Sequence, residues 1–247
     1  MAMKTVAIIQ ARMGSTRLPG KVLMKLQNRT VLDHVITRVK QAKLIDEIIV
    51  ATTTLSEDDA LSEEAKRYGV RVYRGSSANV LSRYYEAARE AKADVVIRIT
   101  SDCPLIDPFI IDHVIQQYHD TTNHLVTNVG TKPSERTFPR GLDVEVFSFE
   151  SLFAAYHHAT KDYEQEHVTP LIYEQHQHKV SCYDNETNYS QHRWTLDTPE
   201  DLKLISEIYS RLYKGQHDFY LEDIIQLFEN EPQLIEINKH VEQKVIR

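Results

Sequence analysis

The 247-residue chain is poor in cysteine, glycine and proline. Its two cysteines, Cys103 and Cys182, are too few for a disulfide framework and lack metal-site spacing, so we expect both to be free thiols. Seven glycines and eight prolines exclude a collagen-like or low-complexity chain. With 41% hydrophobic and 26% charged residues, the composition is that of an ordinary globular protein.

The chain also lacks an excess of positive charge and any long hydrophobic run. A formal net charge of -7 argues against broad electrostatic binding to nucleic acid or to an anionic membrane, although a local cationic pocket can still form. The N-terminal apolar run covers only about seven residues before Arg12, too few for a signal sequence or a spanning helix. We therefore expect a cytoplasmic protein with no nucleic-acid partner and no membrane insertion.

Short strand-like segments alternate with amphipathic segments along the first half of the chain. TVAIIQA, EIIVAT, VRVYRG and DVVIRIT are rich in β-branched residues, and apolar residues recur at helical spacing between them. Continuous apolar strands separated by amphipathic helices are typical of sheets that are buried on both faces. The pattern predicts an α/β fold with a twisted, mostly parallel sheet that is mixed at its edge, and with helices on both faces.

The length fits a single domain of residues 1–247. Within it, the polar stretch GTKPSERTFPRG interrupts the alternation and predicts a small inserted lobe at about 125–192. The segment RWTLDTPEDLKLISEIYSRLY predicts a return strand followed by a helix. Residues from about 219 to 247 predict a helical C-terminal tail with a break near Pro232.

The segment ARMGSTRLPGKVL, which follows the first predicted strand, combines glycines with cations. Gly14 and Gly20 would let the backbone approach a ligand, and Arg12, Arg17 and Lys21 would supply positive charge for phosphate groups. The segment is not a Walker A loop, because five residues separate the two glycines and a valine follows the lysine. We predict a phosphate-binding loop, with a solvated basic turn as the alternative.

Acidic side chains in two later segments are candidate metal ligands. Because ligands of open α/β sheets bind beyond the carboxyl ends of the strands, the loop after VIRIT should face the same crevice as the basic loop. Its Asp102 is a candidate magnesium ligand. Asp107 precedes a proline and an apolar helix and is better explained as a helix N-cap. Asp197 in LDTPED fits either a ligand or a cap.

Three separated motifs resemble those of sugar cytidylyltransferases. ARMGSTRLPGKVL resembles the signature loop of the CMP-KDO and CMP-sialate synthetase superfamily, SDCPLID its Asp-x-Pro-Leu/Met-Ile segment, and LDTPEDL its C-terminal Val-Asp-Thr-Pro-Glu-Asp-Leu motif. NVLSRYYEAA, PRGLDVEVFSFESL and EQEHVTPLIYE most resemble the spore-coat polysaccharide biosynthesis proteins grouped with these enzymes. The resemblance spans about Thr5 to Tyr213 and implies a nucleotide-diphospho-sugar transferase-like, Rossmann-related fold.

The resemblance also implies an activity. An enzyme of this kind uses Mg²⁺ to transfer CMP from CTP to a sugar, here expected to be carboxylated, and releases pyrophosphate for surface or spore-coat polysaccharide synthesis. It implies Arg12, Lys21 and Asp102 as catalytic residues. Asp102 and Asp197 become the metal ligands, because the aspartate that matches Asp197 in CMP-KDO synthetases takes part in metal binding. A homodimer is implied as well, with the inserted lobe serving acceptor recognition or dimerisation.

The resemblance further implies two sets of binding residues. The nucleotide-binding set is Ala11, Arg12, Gly14, Ser15, Arg17, Lys21, Gly75, Asn79 and Arg83. The sugar-binding set is Arg140, Asp143, Glu145, Glu166 and His167. Asn79 could instead cap a helix, Arg83 could be a solvated helix residue, and each member of the sugar set could form a salt bridge or be a satisfied surface residue. SSANVLSR departs from the Ser-Gly-Thr-Glu-Arg type run of CMP-KDO synthetases, so the preference for cytosine is inferred from the family.

Two other functions fit parts of this pattern. A glycosyltransferase that uses a preformed nucleotide-sugar shares such a sheet, but it commonly has an Asp-x-Asp motif, and LDVEV matches that motif only loosely. A non-catalytic scaffold in a polysaccharide assembly complex is the other. The charged residues Arg12, Lys21 and Asp102 argue against a scaffold, because it would not need them.

Overall fold

The computed structural model describes residues 3–130, 133–175 and 179–243, and a seven-stranded mixed sheet forms its centre. The strands of the described chain are β1 (Thr5–Gln10), β2 (Lys25–Leu26), β3 (Arg29–Thr30), β4 (Glu47–Thr53), β5 (Arg71–Gly75), β6 (Val95–Thr100), β7 (Leu125–Thr127), β8 (Glu145–Ser148) and β9 (Val180–Cys182). The large sheet has the order β5-β4-β1-β6-β8-β7-β9, and β2 pairs only with β3.

Helices follow most of these strands. They are α1 (Val31–Val39), α2 (Asp59–Arg67), α3 (Val80–Ala91), α4 (Pro108–Asp120), α5 (Phe149–His158), α6 (Asp162–His167), α7 (Pro170–Gln175), α8 (Pro199–Leu212) and α9 (Leu221–Asn230). Short 3₁₀ turns cover Lys21–Leu23, Ser56–Asp58, Pro133–Glu135 and Pro232–Ile237. The segments predicted to be strands and helices in the first half of the chain therefore have those conformations.

The four strands that the first half of the chain contributes to the large sheet are parallel, and the mixed pairing is confined to one side of that sheet. Central β1 pairs in parallel with β4 and with β6, and β4 pairs in parallel with β5. Beyond β6, strand β8 is antiparallel to both β6 and β7, and β9 returns parallel to β7. The predicted α/β class, with a mostly parallel sheet that is mixed at its edge, is confirmed.

Both faces of the sheet are buried, as the continuous apolar strands predicted. Side chains alternate along β1, so Ala7 and Ile9 join one core with α1, α4, α8 and α9, whereas Val6 and Ile8 join another with α3 and α5. All four are fully buried. Burial of each large aliphatic side chain contributes roughly 1.5–3 kcal/mol, which explains the apolar runs in the central strands.

Two N-caps fix the helices beside the cleft. Oδ1 of Asp107 accepts hydrogen bonds from the backbone N–H groups of Phe109 and Ile110, so the predicted cap of α4 is confirmed. The hydroxyl of Thr198 caps α8 and accepts from Asp201 N at 3.3 Å. Because Thr198 fills the cap position, the carboxylate of Asp197 makes other contacts.

The second half of the chain completes the sheet and adds helices to both of its faces. Strands β7, β8 and β9 all fall within the range predicted as a lobe, and its separate role stays a prediction. The predicted return strand is wrong: Arg193 forms only an isolated bridge with Arg140. The tail is helical in α9 and in the turn that starts at Pro232, and residues 244–247 of it lie outside the described residues. None of the described helices is both long and apolar enough to span a membrane.

Candidate active site

A cleft of about 800 Å³ opens where β1 and β6 end. The loop after β1 and the loop after β6 form one side of it, as the rule for open α/β sheets predicts. The rest is formed by the start of α3, the segment between β7 and β8, β8 itself, the α6–α7 region and the segment before α8. The cleft thus brings together segments from almost the whole chain.

The loop after β1 is held by backbone hydrogen bonds. The N–H of Met13 donates to Asp58 Oδ1 at 2.7 Å, and the N–H groups of Ser15 and Gly20 donate to Met13 O at 2.8 and 3.0 Å. Gly20 has a φ of 69°, a conformation that a side chain would disfavour. The loop ends in a three-residue 3₁₀ turn rather than an α-helix, so this turn adds no α-helix dipole, and the loop's arginine and lysine side chains supply its positive charge.

Lys21 is the best-anchored cation of this loop. Its ammonium donates to Asp102 Oδ2 at 3.1 Å, to Asp197 Oδ1 at 2.8 Å and to the carbonyl oxygen of Leu196 at 2.7 Å. The side chain is only 10% exposed. Burial alone would lower the pKa of Lys21, but the two carboxylates outweigh burial and raise it, so the ammonium stays charged.

Asp102 lies just beyond β6 with a quarter of its side chain exposed to the cleft. Burial would raise the pKa of Asp102, but the Lys21 ammonium and hydrogen bonds from Thr100 and Cys103 hold it below its usual range. The backbone of this loop is tied to the segment before α8, because Leu196 N donates to Asp102 O at 2.8 Å. That bond fixes the two aspartate segments next to each other.

Asp197 has three cationic neighbours. Besides Lys21, Nη2 of Arg17 lies 2.9 Å from Oδ2 of Asp197, and Nη2 of Arg193 lies 3.2 Å from the same oxygen. Arg193 is itself held by Asp201, whose fully buried carboxylate accepts from it at 2.9 and 3.0 Å. The same carboxylate accepts from Asp197 N at 3.0 Å, so Asp197 is positioned through both backbone and side chain.

The donor set fits a hard divalent cation that shares its coordination with phosphate. Within the described ranges, no three His, Cys, Asp or Glu side chains form a self-sufficient metal site. Asp102 and Asp197 do present one carboxylate oxygen each to a common point, at which the Lys21 ammonium lies. Magnesium usually takes one or two carboxylates and fills its octahedron with water and phosphate oxygens. These residues therefore suit Mg²⁺ bound together with a nucleotide.

Most of the predicted nucleotide-binding residues line the cleft. They are Ala11, Arg12, Ser15, Arg17, Lys21 and Arg83. Arg12 is exposed and has no hydrogen-bond or ion-pair partner among the residues that the structure describes, so its guanidinium is available to a ligand. Arg83 is almost fully buried and donates to Ser76 O, and burial lowers its pKa.

Three members of that set are not among the cleft-lining residues. Asn79 accepts a hydrogen bond from Ser82 N at 2.7 Å and caps α3, which is the alternative that the sequence left open. A Cβ on Gly14 would lie 3.1 Å from Glu57 Oε1, and one on Gly75 would lie 2.8 Å from the Tyr73 ring. The structure thus shows close packing at Gly75, whereas Gly14 meets only the end of an exposed side chain; contact of both glycines with nucleotide stays a prediction.

The predicted sugar-binding residues also line the cleft, but two of them are committed to ion pairs. Glu145 is 5% exposed and forms an ion pair with Nη1 of Arg98 at 2.6 Å. It also accepts hydrogen bonds from the hydroxyl groups of Thr169 and Tyr173, each at 2.9 Å. Asp143 binds Arg136 through both carboxylate oxygens, at 2.6 and 3.1 Å. These carboxylates shape the cleft wall, and their charges are already neutralised.

Arg140 differs from these two, because its guanidinium has no hydrogen-bond partner in the described part of the chain. Burial and the nearby guanidinium groups of Arg136 and Arg193 lower its pKa. Glu166 is exposed at the end of α6, and His167 follows it. Behind them Val168 has a φ of 71°, and Thr169 N donates to His167 O at 2.8 Å across it. This tight turn directs the chain along the cleft wall.

Sequence reasoning missed Arg98, Arg136 and Arg193. All three line the cleft or hold its carboxylates, yet each lies in a segment predicted only as strand or loop. An arginine in the apolar strand DVVIRIT was the one available signal for Arg98, because a buried charge in a strand requires a partner. Nothing in the sequence identified Glu145 as that partner.

Comparisons with known proteins agree with this architecture. Residues 6–235 match the sequence profile of the family described as Cytidylyltransferase. The spore coat polysaccharide biosynthesis protein SpsF of Bacillus subtilis (strain 168) is 33% identical over 238 residues, which cover 91% of this chain and 94% of SpsF. The 3-deoxy-manno-octulosonate cytidylyltransferase of Geobacter metallireducens is 37% identical over 115 residues, covering 46% of this chain and 44% of that protein.

A solved structure extends the similarity to the whole fold. The structure of a cytidylyltransferase from Leptospira borgpetersenii serovar Hardjo-bovis (strain JB197) superposes with a TM-score of 0.88 at 34% identity and covers 100% of both chains. The resemblance that the three sequence motifs indicated is confirmed. The similarity includes the segments that build the cleft, since the matched region starts in β1 and ends beyond α9.

Proposed function

The chain belongs to the cytidylyltransferase family, and from that premise we propose that it transfers CMP from CTP to a carboxylated sugar and releases pyrophosphate. The observation that carries this proposal is the Lys21 ammonium between Asp102 and Asp197, in the same cleft as the guanidinium of Arg12, which is unpaired among the described residues. Transfer of a nucleotidyl group from a nucleoside triphosphate requires positive charge near the phosphates and carboxylates that can bind a metal ion.

Arg12, Ser15 and Arg17 are proposed to bind the triphosphate. They lie on one loop at the mouth of the cleft, where charge-assisted hydrogen bonds to phosphate oxygens are strong. Asp102 and Asp197 would hold Mg²⁺, which supplies Lewis-acid stabilisation of phosphoryl oxygens when it is bound. Fixed positive charge at this point offsets the negative charge that develops on the leaving pyrophosphate.

The acceptor is proposed to bind at the opposite wall, next to Arg140. Arg98 and Arg136 are neutralised by Glu145 and Asp143, so Arg140 is the cation of that wall that a carboxylate can pair with. A sugar hydroxyl attacks the α-phosphorus of CTP; its new O–P bond forms as the bond to the β-phosphate oxygen breaks, and the hydroxyl proton is released. Glu166 and His167 line the same wall and are proposed to contact the sugar.

The similarity to SpsF supports a role in surface or spore-coat polysaccharide synthesis, and we propose that role for the product. Because CTP is made in the cytoplasm, we propose that the reaction takes place there. We also propose a homodimer, which light scattering coupled to size exclusion would test directly. The family match favours nucleotidyl transfer over the glycosyl transfer that the sequence left as an alternative.

Pyrophosphate release tests the proposal. The protein is incubated with CTP, Mg²⁺ and each member of a panel of octulosonic and nonulosonic acids. We expect release with at least one acid, and we expect Asp102→Asn to lower turnover by about a hundredfold or more. Asp184→Asn, an exposed aspartate outside the cleft lining, is the matched control and should retain full turnover.

Absence of pyrophosphate across the panel, together with absence of CTP binding in calorimetry, would refute the proposal. Saturable binding of a preformed nucleotide-sugar with weak CTP binding would point to glycosyl transfer instead. Release of pyrophosphate by Asp102→Asn at the wild-type rate would refute the assignment of this carboxylate.

A further inference from the structure

We infer that the Lys21 ammonium holds the place of the divalent cation when no nucleotide is bound, so that the cation and CTP enter the site only together. The inference rests on the proposed function and adds a binding rule to it. It starts from the finding that all three N–H groups of this ammonium are used within the protein, on Asp102 Oδ2, Asp197 Oδ1 and Leu196 O.

Geometry makes the two cations exclude each other. Nζ of Lys21 lies 3.1 Å from the Asp102 oxygen and 2.8 Å from the Asp197 oxygen. A magnesium ion bound to the same two oxygens would have to lie about 2.0–2.1 Å from each. An ion at the point between these oxygens where the ammonium now lies would overlap with it, so Lys21 must leave before the ion can bind there.

Charge makes entry of the metal alone unfavourable. The cluster contains three cations and three carboxylates that balance one another: Arg17, Lys21, Arg193, Asp102, Asp197 and Asp201. A divalent cation alone would add two uncompensated positive charges in a partly buried site. CTP brings several negative charges with the metal, and the guanidinium of Arg12, which has no partner within the described ranges, lies in the same cleft and can pair with them.

The displaced ammonium also needs new acceptors. Lys21 as a whole residue is only 8% exposed. Loss of the three acceptors of its ammonium at such a buried position therefore costs free energy unless other acceptors replace them. Phosphate oxygens of CTP bound at the basic loop would provide those acceptors, because Lys21 directly follows Gly20 in that loop. By thermodynamic reciprocity, CTP then raises the affinity for metal as much as metal raises the affinity for CTP.

Binding of Mn²⁺, followed by electron paramagnetic resonance of the free ion, tests the inference without turnover. We expect wild type to bind Mn²⁺ alone weakly, and Lys21→Met to bind it at least about tenfold more tightly, because the competing charge is gone. Adding Asp102→Asn to Lys21→Met should abolish the gain. Lys21→Arg keeps the charge and should behave like wild type, as should the control Lys25→Met, whose exposed lysine lies outside the cleft lining.

A second measurement uses wild type and Asp102→Asn, and it does not need Lys21→Met, in case that variant does not fold. Mg²⁺ alone should leave the thermal midpoint unchanged, whereas Mg²⁺ with CTP should raise it. Tight Mn²⁺ binding by nucleotide-free wild type, within threefold of Lys21→Met, would overturn the inference. So would a rise in the midpoint with Mg²⁺ alone that Asp102→Asn removes. Neither result would contradict the proposed function, whereas failure of CTP to bind with Mg²⁺ present would contradict it.

Discussion

Nζ of Lys21 lies 2.8 Å from Oδ1 of Asp197, although 176 positions separate the two residues in the chain. Lys21 follows the loop after β1, and Asp197 directly precedes α8. A backbone hydrogen bond from Leu196 N to Asp102 O holds Asp102, the third residue of this charged group, next to Asp197. The site therefore depends on the packing of the segment before α8 against the carboxyl edge of the sheet.

Asp201→Asn should destabilise the fold and loosen Asp197. The buried carboxylate accepts five hydrogen bonds, from two nitrogens of Arg193, from the backbone N–H groups of Asp197 and Thr198, and from Asn238 Nδ2. The amide would leave the buried Arg193 charge with only its longer ion pair to Asp197, and loss of the main partner of a buried charge costs about 3–5 kcal/mol. Urea unfolding measures the loss, and Glu229→Gln, exposed on α9, should change stability little. A loss of under about 1 kcal/mol would contradict this account.

Arg12→Gln should weaken CTP binding and leave stability unchanged. The guanidinium is exposed and has no partner within the described residues, so its removal leaves no group unsatisfied. Loss of a charge-assisted hydrogen bond to phosphate costs about 1.5–3 kcal/mol, or roughly a tenfold to hundredfold rise in the CTP dissociation constant. Calorimetry with Mg²⁺ present measures it, with Arg89→Gln on α3 as the control. Unchanged CTP affinity would remove Arg12 from the phosphate site.

Gly141→Ala should lower the free energy of unfolding by more than the positive φ at this position alone explains. At a φ of +103° its added Cβ would lie 2.5 Å from the carbonyl carbon of Trp194 and 2.7 Å from Thr195 N. Gly215 has a similar φ of +97° with nothing within 4 Å of an added Cβ, so Gly215→Ala measures conformational strain alone. We expect about 1–2 kcal/mol for Gly215→Ala and clearly more for Gly141→Ala in urea unfolding. Equal losses would show that Trp194 shifts freely.

The buried pair His34 and His217 should make the fold sensitive to acid. Nε2–H of His34 donates to Leu26 O at 2.8 Å, so its Nδ1 must accept from Nε2–H of His217 at 2.7 Å, and both rings are neutral. The pKa of His34 is lowered to about 4 and that of His217 to about 3, mainly by burial; the guanidinium groups of Arg29 and Arg38 contribute to both shifts, and Asp33 opposes them.

Because an unfolded histidine has a pKa near about 6.5, the unfolded chain binds protons between pH 6.5 and about 4 that the folded chain does not. The stabilising contribution of the pair is complete above pH 6.5 and falls as the pH drops toward 4. Urea midpoints at pH 7.5, 6.5, 5.5 and 4.5 measure this slope. His217→Gln, which removes one titrating ring but keeps an amide donor, should flatten it, whereas His119→Gln on the exposed end of α4 should not. An identical slope in His217→Gln would exclude the pair as its source.

Local signals explain how much of the fold was predictable. Apolar runs such as AIIQ and VVIRIT can satisfy their backbone and bury their side chains only in a covered sheet, so strand identity follows from the sequence. Asp107 before a proline and an apolar helix needs no tertiary information to act as a cap. The two cleft loops share an edge because parallel strands end on the same side. Each of these inferences concerns neighbours in sequence or a general property of parallel sheets.

The sequence by itself determined the α/β architecture, the basic loop and the candidate aspartates, because periodicity and short motifs encode them. Only the tertiary structure decided which charges remain free. It pairs Glu145 with Arg98 and Asp143 with Arg136, commits Asn79 to a cap, and leaves Arg12 and Arg140 without partners in the part of the chain it describes. The presence of an Asp or Glu in the sequence does not indicate whether a cation lies close to its carboxylate, because that distance depends on packing between segments far apart in the chain.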